Sequence, residues 1–418
     1  MKYKQSQYNI VVQQDENAVI IYNTYSGGLS KLAVDTYRSL SSPENSPYLS
    51  ALLEQGHIVA QPVDEFERWQ LGRKSYIYGA SELQHFVIAP TLKCNLRCLY
   101  CFEKDRDHKP SMTDGIMKNV ISFIQKSVDN NPAVKRLRIN WFGGEPLLEI
   151  ERIKAISQEL ISYCTKREIE YSAFMITNGV LLDQKIISEL KNVCKIDRLQ
   201  ITLDGGDCFY SYYKGTHKDT FVKLIDNIAS ASQLFKISLR MNTSQENREE
   251  ILGISKTIMS NEQISDSVSV YPAQITDCNV PRCHSLSDSE FEEFRQKFES
   301  ILKPLRSTNG SLKLTRRFAY CSSMRKYNCV IGPDGNLYRC EYELGNLAEV
   351  IGDVVAGFYC NKADKKLLEM NFDAKCRECD ILPICAGGCP TMVVNYQKKV
   401  DCESMHHRVI QKVKSEML

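Results

Sequence analysis

Between residues 82 and 305, short apolar runs alternate with amphipathic stretches six times. The strand candidates are His85 to Ala89, Leu137 to Trp141, Ser172 to Ile176, Arg198 to Leu203, Ile237 to Asn242 and Ser267 to Tyr271. Helical patterns near 112–128, 151–166, 184–194, 219–234, 248–259 and 288–305 fill the gaps. Right-handed crossovers place every helix outside its strands, so six such units predict an α/β fold, a parallel sheet curled into a partial (β/α)6, TIM-like barrel. In such sheets chemistry sits beyond the carboxyl ends of the strands.

Different patterns flank the barrel. Residues 1–78 read as a small α+β unit. Alternation at Tyr8 to Val12 and Val19 to Asn23 around Asp15-Glu16-Asn17 predicts a hairpin. A helical pattern follows from Leu32 to Leu40, a second helix opens at Ser46-Pro47 and ends at Gly56, and His57 to Ala60 returns to strand character. The polar stretch Glu65 to Lys74 reads as the link to the barrel. After residue 306 the β/α rhythm stops, and a hairpin is expected from Tyr327 to Ile331 and Leu337 to Glu341. A chain of 418 residues suits three domains, over 1–78, 82–305 and 306–418.

Charge is balanced, 53 Lys plus Arg against 51 Asp plus Glu, so no overall basic field exists to capture nucleic acid. The N-terminal sequence has no apolar targeting core and no window is apolar enough to span a membrane, which predicts a cytoplasmic protein. Seventeen cysteines in a reducing compartment point to metal or cluster ligation rather than to disulfides.

Directly after the first barrel strand comes Thr91-Leu-Lys-Cys94-Asn-Leu-Arg-Cys98-Leu-Tyr-Cys101-Phe102. Three thiols on one loop with no fourth nearby suit a cubane cluster with one iron left open. The triplet, with an aromatic residue before its third cysteine, resembles the radical S-adenosylmethionine (SAM) enzymes. The resemblance implies that Cys94, Cys98 and Cys101 bind a four-iron four-sulfur cluster whose open iron chelates SAM. An electron from the cluster then splits SAM into methionine and a 5′-deoxyadenosyl radical. Tyr100 would approach the adenine.

Trp141-Phe142-Gly143-Gly144-Glu145-Pro146, at the second strand's end, matches the family's GGE motif, although alone it could be a plain glycine turn. Gly143 and Gly144 would let backbone come close to a ligand, and Glu145 would accept from the SAM ammonium group. Thr177-Asn178 and Asp204, with Arg240 and Asn242, are the companions expected to meet the ribose and the SAM carboxylate. Lys214 stands where family members often carry Arg.

Nine of the 17 cysteines lie between Cys321 and Cys402. C-x2-C spacing also occurs in zinc ribbons, and count alone leaves two zinc sites open. The order C-x13-G-x4-C, C-x2-C-x5-C-x3-C and a final Cys resembles the SPASM extension of radical SAM enzymes, which carries two auxiliary four-iron four-sulfur clusters. The resemblance implies Cys321, Cys329, Cys340 and Cys389 on the nearer cluster, and Cys376, Cys379, Cys385 and Cys402 on the outer one. With Cys329 free, the nearer cluster would keep an open iron. Glu341 follows Cys340, where sulfatase-maturing relatives place an Asp base, and would act as the catalytic base; an exposed strand residue is the alternative.

The other six cysteines match no ligand spacing, and Cys164 and Cys194 read as small core residues on helix faces. No histidine pair has metal-site spacing. The N-terminal unit resembles the winged-helix-like element that peptide maturases use to bind a leader by strand addition; a simple cap on the barrel is the alternative.

The expected function is maturation of a ribosomally made precursor peptide with a leader, by a thioether or carbon–carbon crosslink. An external one-electron reductant of flavodoxin or ferredoxin type would serve it. The alternatives are a formylglycine-forming sulfatase-maturing enzyme, whose relatives usually begin close to the triplet where 93 residues precede it here, and a non-catalytic iron–sulfur or zinc protein.

Overall fold

Near the N-terminus the period-two pattern folds into strands. Strands β1 (Tyr3–Gln5), β2 (Asn9–Gln14), β3 (Ala18–Asn23) and β4 (Leu29–Ala33) precede helices α1 (Val34–Arg38) and α2 (Leu49–Glu54), strand β5 (Ile58–Ala60) and helix α3 (Glu65–Tyr78). β2, β3 and β4 form an antiparallel sheet in that order, and β1 pairs with β5. The Asp15 carboxylate accepts from the Asn17 and Ala18 amides and closes the expected hairpin turn. Leu32, read as helical, belongs to β4, where its pairing with Val19 outweighs the helical spacing.

The expected link Glu65 to Lys74 is helix. Asp64 caps α3 by accepting from the Glu67 amide at 3.0 Å, and Trp69 and Ile77 are buried on one face of the helix. Arg73 occupies a buried position of that face, donating to the Leu368 carbonyl at 3.0 Å. A charge at a core position hid the period. Gly72 is required inside the helix because a Cβ there would lie 2.2 Å from the Phe318 ring.

This computed structural model describes residues 2–103, 109–264, 266–275, 279–280, 283–302 and 314–417. It forms two compact units: Met1–Gly79 with Asn309–Lys326 and Lys366–Leu418, and Ala80–Thr308 with Tyr327–Lys365. Residues after 306 therefore contribute to both.

The second unit contains the barrel. Its elements run β6 (Leu83–Ile88), α4 (Asp114–Asp129), β7 (Arg136–Trp141), α5 (Ile150–Lys166), β8 (Glu170–Thr177), α6 (Gln184–Asn192), β9 (Ile196–Thr202), α7 (Asp207–Lys214), α8 (Lys218–Ser232), β10 (Lys236–Thr243), α9 (Arg248–Met259) and β11 (Val268–Gln274). A short pair, β12 (Asn279–Val280) and β13 (Cys283–His284), and helix α10 (Asp288–Leu302) follow. β6 to β11 are parallel neighbours in chain order, as the six repeats predict. Helix residues such as Val120, Ile156, Leu160 and Ile228 pack on Phe86, Ile139 and Leu199 of the strands in one continuous core.

Strands β14 (Cys329–Ile331), β15 (Asn336–Tyr338), β16 (Gly352–Asp353) and β17 (Gly357–Phe358) extend the same sheet, with β14 parallel to β6. Alternation sorts the two faces. Cys329, Ile331 and Leu337 join Phe86 and Ile88 in the main core, whereas Val330 and Tyr338 pack with Val87 and Ala89. In the first unit, Val409 and Val413 of the C-terminal helix Cys402–Met417 pack on Ile10 and Val12 of β2. No described helix is long and apolar enough to cross a membrane.

Candidate active site

The cysteine triplet lies on the loop that leaves the carboxyl end of β6. Thr91 braces it, its Oγ1 accepting from the Lys93 amide at 3.0 Å and lying 2.8 Å from Ser111 Oγ. Gly143 and Gly144 permit close approach, but to this loop's backbone: a Cβ at either position would sit 2.3 Å from the carbonyl oxygen of Thr91 or of Lys93. Gly143 also has φ +125°, which an L side chain rarely adopts. The Gly144 and Glu145 amides then donate to the Thr91 and Lys93 carbonyls at 3.1 and 2.9 Å.

Cys94, Cys98 and Cys101 are each partly buried. Burial pushes the Cys94 thiol up to about 11, with Cys98 and Cys101 acting the same way, which places the three within electrostatic reach of one another. Three such thiols on one loop, free of disulfides, fit an iron–sulfur cluster, which binds them as thiolates. Among the described residues no three His, Cys, Asp or Glu groups converge as they would on a single ion; thiolates on separate irons of a cubane need not.

Glu145 is fully buried and its carboxylate is largely engaged within the protein, accepting from the Leu147 amide at 3.0 Å, Thr177 Oγ1 at 2.8 Å and the Asn178 amide at 2.8 Å. Burial pushes its pKa up to about 7 despite these bonds. A carboxylate has about four lone-pair sites, so one acceptor position remains on it. Asn178 reaches the triplet loop, its Nδ2 donating to Asn95 Oδ1 at 2.7 Å and lying 3.8 Å from Cys94 Sγ.

Beyond β9 the expected ligand-binding groups meet each other. Tyr100 donates to Asp204 Oδ2, the Asn242 amide donates to Asp204 Oδ1 at 3.0 Å, and Asn242 Nδ2 donates to the Tyr100 hydroxyl at 3.1 Å. Arg240 Nε donates to Asn242 Oδ1 at 2.9 Å. Lys214 Nζ completes the group, 2.7 Å from Asp204 Oδ2, 2.6 Å from the Tyr100 hydroxyl and 3.0 Å from Thr202 Oγ1. Burial opposes its charge, yet Asp204 holds its pKa well above the ordinary lysine value. Lys214 sits on α7, a helix absent from the sequence reading because Asp-Cys-Phe-Tyr-Ser-Tyr-Tyr-Lys is short and rich in aromatic residues of modest helix propensity.

At the other side, Tyr342 stacks on Phe102 at 4.3 Å between centroids, and Phe102 on Phe142 at 6.4 Å. Glu341, one residue before Tyr342, has its carboxyl pushed up by burial, which makes it a better proton acceptor than an exposed strand carboxylate. Cys329 is 2% exposed in the main core, and Cys340, two residues beyond the end of β15, is partly buried.

In the first unit the outer set comes together. Burial raises the thiols of Cys376, Cys379 and Cys385, and each is raised further by Cys402 and another member of the set. Cys389 and Cys321 both act on Tyr320, whose hydroxyl burial raises. Cys164 and Cys194 are core residues as expected, Cys208 and Cys360 are exposed, and Cys283 is disulfide-bonded; Cys278 lies outside the described residues. His57 is buried, the triplet's Thr91 and Thr202 of β9 were not singled out by sequence, and only their strand-end positions signal them.

Residues 88–258 match the Radical SAM superfamily. The chain is 26% identical over 222 residues to the radical SAM cyclopropyl synthase TigE of Paramaledivibacter caminithermalis, covering 44% of this chain and 46% of that enzyme, so it spans under half that relative's length. It is 24% identical over 351 residues to a cysteine-type anaerobic sulfatase-maturating enzyme of Clostridium novyi, covering 74% and 90%. Among solved structures, native anSMEcpe with bound AdoMet and the Cp18Cys peptide superposes with TM-score 0.60 at 16% identity, over 80% of this chain and all of that one. Streptococcus suis SuiB bound to the precursor peptide SuiA superposes with TM-score 0.55 at 16% identity, over 96% and 98%. With the triplet, the GGE turn and the parallel strands in place, residues 88–258 of this chain form a radical SAM domain.

Proposed function

We propose that the protein is a peptide maturase that binds SAM on a four-iron cluster held by Cys94, Cys98 and Cys101 and forms a thioether or carbon–carbon crosslink in a ribosomally made peptide. The observation that carries the reading is the triplet loop pinned to the GGE turn at the barrel mouth. When bound, the cluster and SAM supply a 5′-deoxyadenosyl radical that takes a hydrogen atom from the substrate.

The chain's own residues do the rest. Glu145 and the carbonyls beside it receive the SAM ammonium group, and Thr177, Asn178, Asp204 and Arg240 border the cofactor's polar groups. Glu341 takes the proton of the partner thiol or hydroxyl. Cys376, Cys379, Cys385 and Cys402 hold the outer auxiliary cluster. Auxiliary iron accepts the second electron, so the peptide loses two hydrogens and gains one bond. The outer edge of β4, unpaired among the described residues, offers backbone amides to a leader peptide.

The relatives named above include a cysteine-type anaerobic sulfatase-maturating enzyme, and the long alignment to it favours formylglycine formation as the second reading. Mass analysis distinguishes them: a crosslink removes two hydrogens and keeps sulfur, whereas formylglycine formation from cysteine loses the sulfur. Failure of the reduced, reconstituted protein to release 5′-deoxyadenosine from SAM would overturn both.

A further inference from the structure

The Lys214 side chain is 2% exposed and its partner Asp204 0%. A buried ion pair is commonly no more stable than packed apolar side chains of the same volume, so stability alone is a weak reason for one here. Its placement is informative. Tyr100, which Lys214 contacts, lies between Cys98 and Cys101, and the carbonyls of Lys214 and Tyr213 accept from the Arg97 and Leu99 amides at 2.9 and 3.0 Å. The end of α7 is thus bonded to the cysteine loop on both sides of Cys98. Gly215, at φ +60°, lets the chain turn away there, since a Cβ would come within 2.9 Å of Arg97 Cβ. The helix terminus brings partial negative charge to the loop, and Asp204 adds a full negative charge. Lys214 is the cation in direct contact with that carboxylate.

We propose that Lys214 is a positioning residue for the cluster on Cys94, Cys98 and Cys101, its fixed charge balancing Asp204 and the α7 terminus and so setting how readily that cluster accepts an electron. The inference rests on the reading of the triplet as a cluster site. Reduction adds negative charge to the cluster; a neighbouring cation favours it and an uncompensated carboxylate opposes it, and in a buried site neither effect is well screened.

The test is a potentiometric titration of the full-length reconstituted protein without SAM, followed by the paramagnetic signal of the reduced cluster that SAM addition alters. Lys214→Met is measured at about pH 9 and Asp204→Asn at about pH 6, so that the remaining member of the pair keeps its charge, each beside the parent protein at the same pH. The expected result is opposite shifts, to a more negative midpoint for Lys214→Met and a more positive one for Asp204→Asn, with Lys214→Arg close to the parent. Shifts of one sign in both variants, or none, would overturn the proposal and leave Lys214 a packing residue. If Lys214→Met takes up no iron, Asp204→Asn alone decides, an unmoved or more negative midpoint overturning it. A parent protein with no SAM-responsive signal would instead remove the underlying reading of the triplet.

Discussion

Tyr342 lies almost flat on Phe102, with ring centroids 4.3 Å apart and planes 13° from parallel. The first ring follows Glu341 beyond the β15 strand, and the second follows Cys101. The contact therefore ties the end of the hairpin to the triplet loop within one compact unit. Stacked aromatic pairs contribute about 1 kcal/mol beyond their buried area. Tyr342→Ala should accordingly weaken SAM binding roughly five-fold by loosening the loop, whereas Tyr342→Phe should bind SAM like the parent. Equilibrium binding of SAM to reconstituted protein measures this, and equal affinity in the alanine variant would show that the stack does not hold the loop.

The barrel was legible because each of its strands is a short apolar run next to a helical period, and all six form in the predicted order. Part of what escaped the reading has a plain physical cause, since periodicity reports burial only where buried residues are apolar. Arg73 breaks the pattern of α3 by satisfying its charge against the Leu368 carbonyl. Helix α7, which ends in the buried Lys214, escaped instead because it is short and rich in aromatic residues. The triplet and the GGE turn were visible as local motifs. That Gly143 and Gly144 serve the approach of Thr91 and Lys93, distant in sequence, required the fold. The faces of the β14–β15 hairpin likewise depend on its pairing with β6, which no spacing of cysteines reveals.

That pairing makes a prediction for Cys329. Its thiol, fully buried beside Phe86 and Ile331, is pushed up to about 12 by burial. Cys329→Ala should leave the iron content of reconstituted protein unchanged and cost about 1 kcal/mol of stability through a small cavity. Loss of about four irons per chain would instead identify it as a cluster ligand.

Gly144 is the tightest point between the GGE turn and the triplet. An added Cβ would meet the Lys93 carbonyl oxygen at 2.3 Å and that of Leu92 at 2.6 Å, and both are backbone atoms that cannot rotate away. Gly144→Ala should push the loop outward and break the Glu145 amide bond to Lys93. The expected outcome is loss of about four irons per chain and of SAM cleavage, with auxiliary iron retained. Iron analysis alongside 5′-deoxyadenosine release checks it; full iron with parent-like cleavage would contradict the packing argument.

His57 provides a pH test in the N-terminal unit. The imidazole is 0% exposed, with Nδ1 3.0 Å from Asn9 Oδ1 and Nε2 2.9 Å from Ser30 Oγ, so it joins β2 to β4. Burial lowers its pKa from 6.5 to about 4. The unfolded chain therefore takes up this proton first as the medium is acidified, and the folded state resists it. The contribution is fully present above about pH 6.5 and is lost as pH falls through about 4, a term on the order of 3 kcal/mol. His57→Gln cannot titrate. Urea unfolding at several pH values should show the parent losing more stability than the variant across this window, after allowing for the variant's own lower stability at neutral pH. Parallel pH profiles for the two proteins would mean that His57 is not held neutral by the sheet around it.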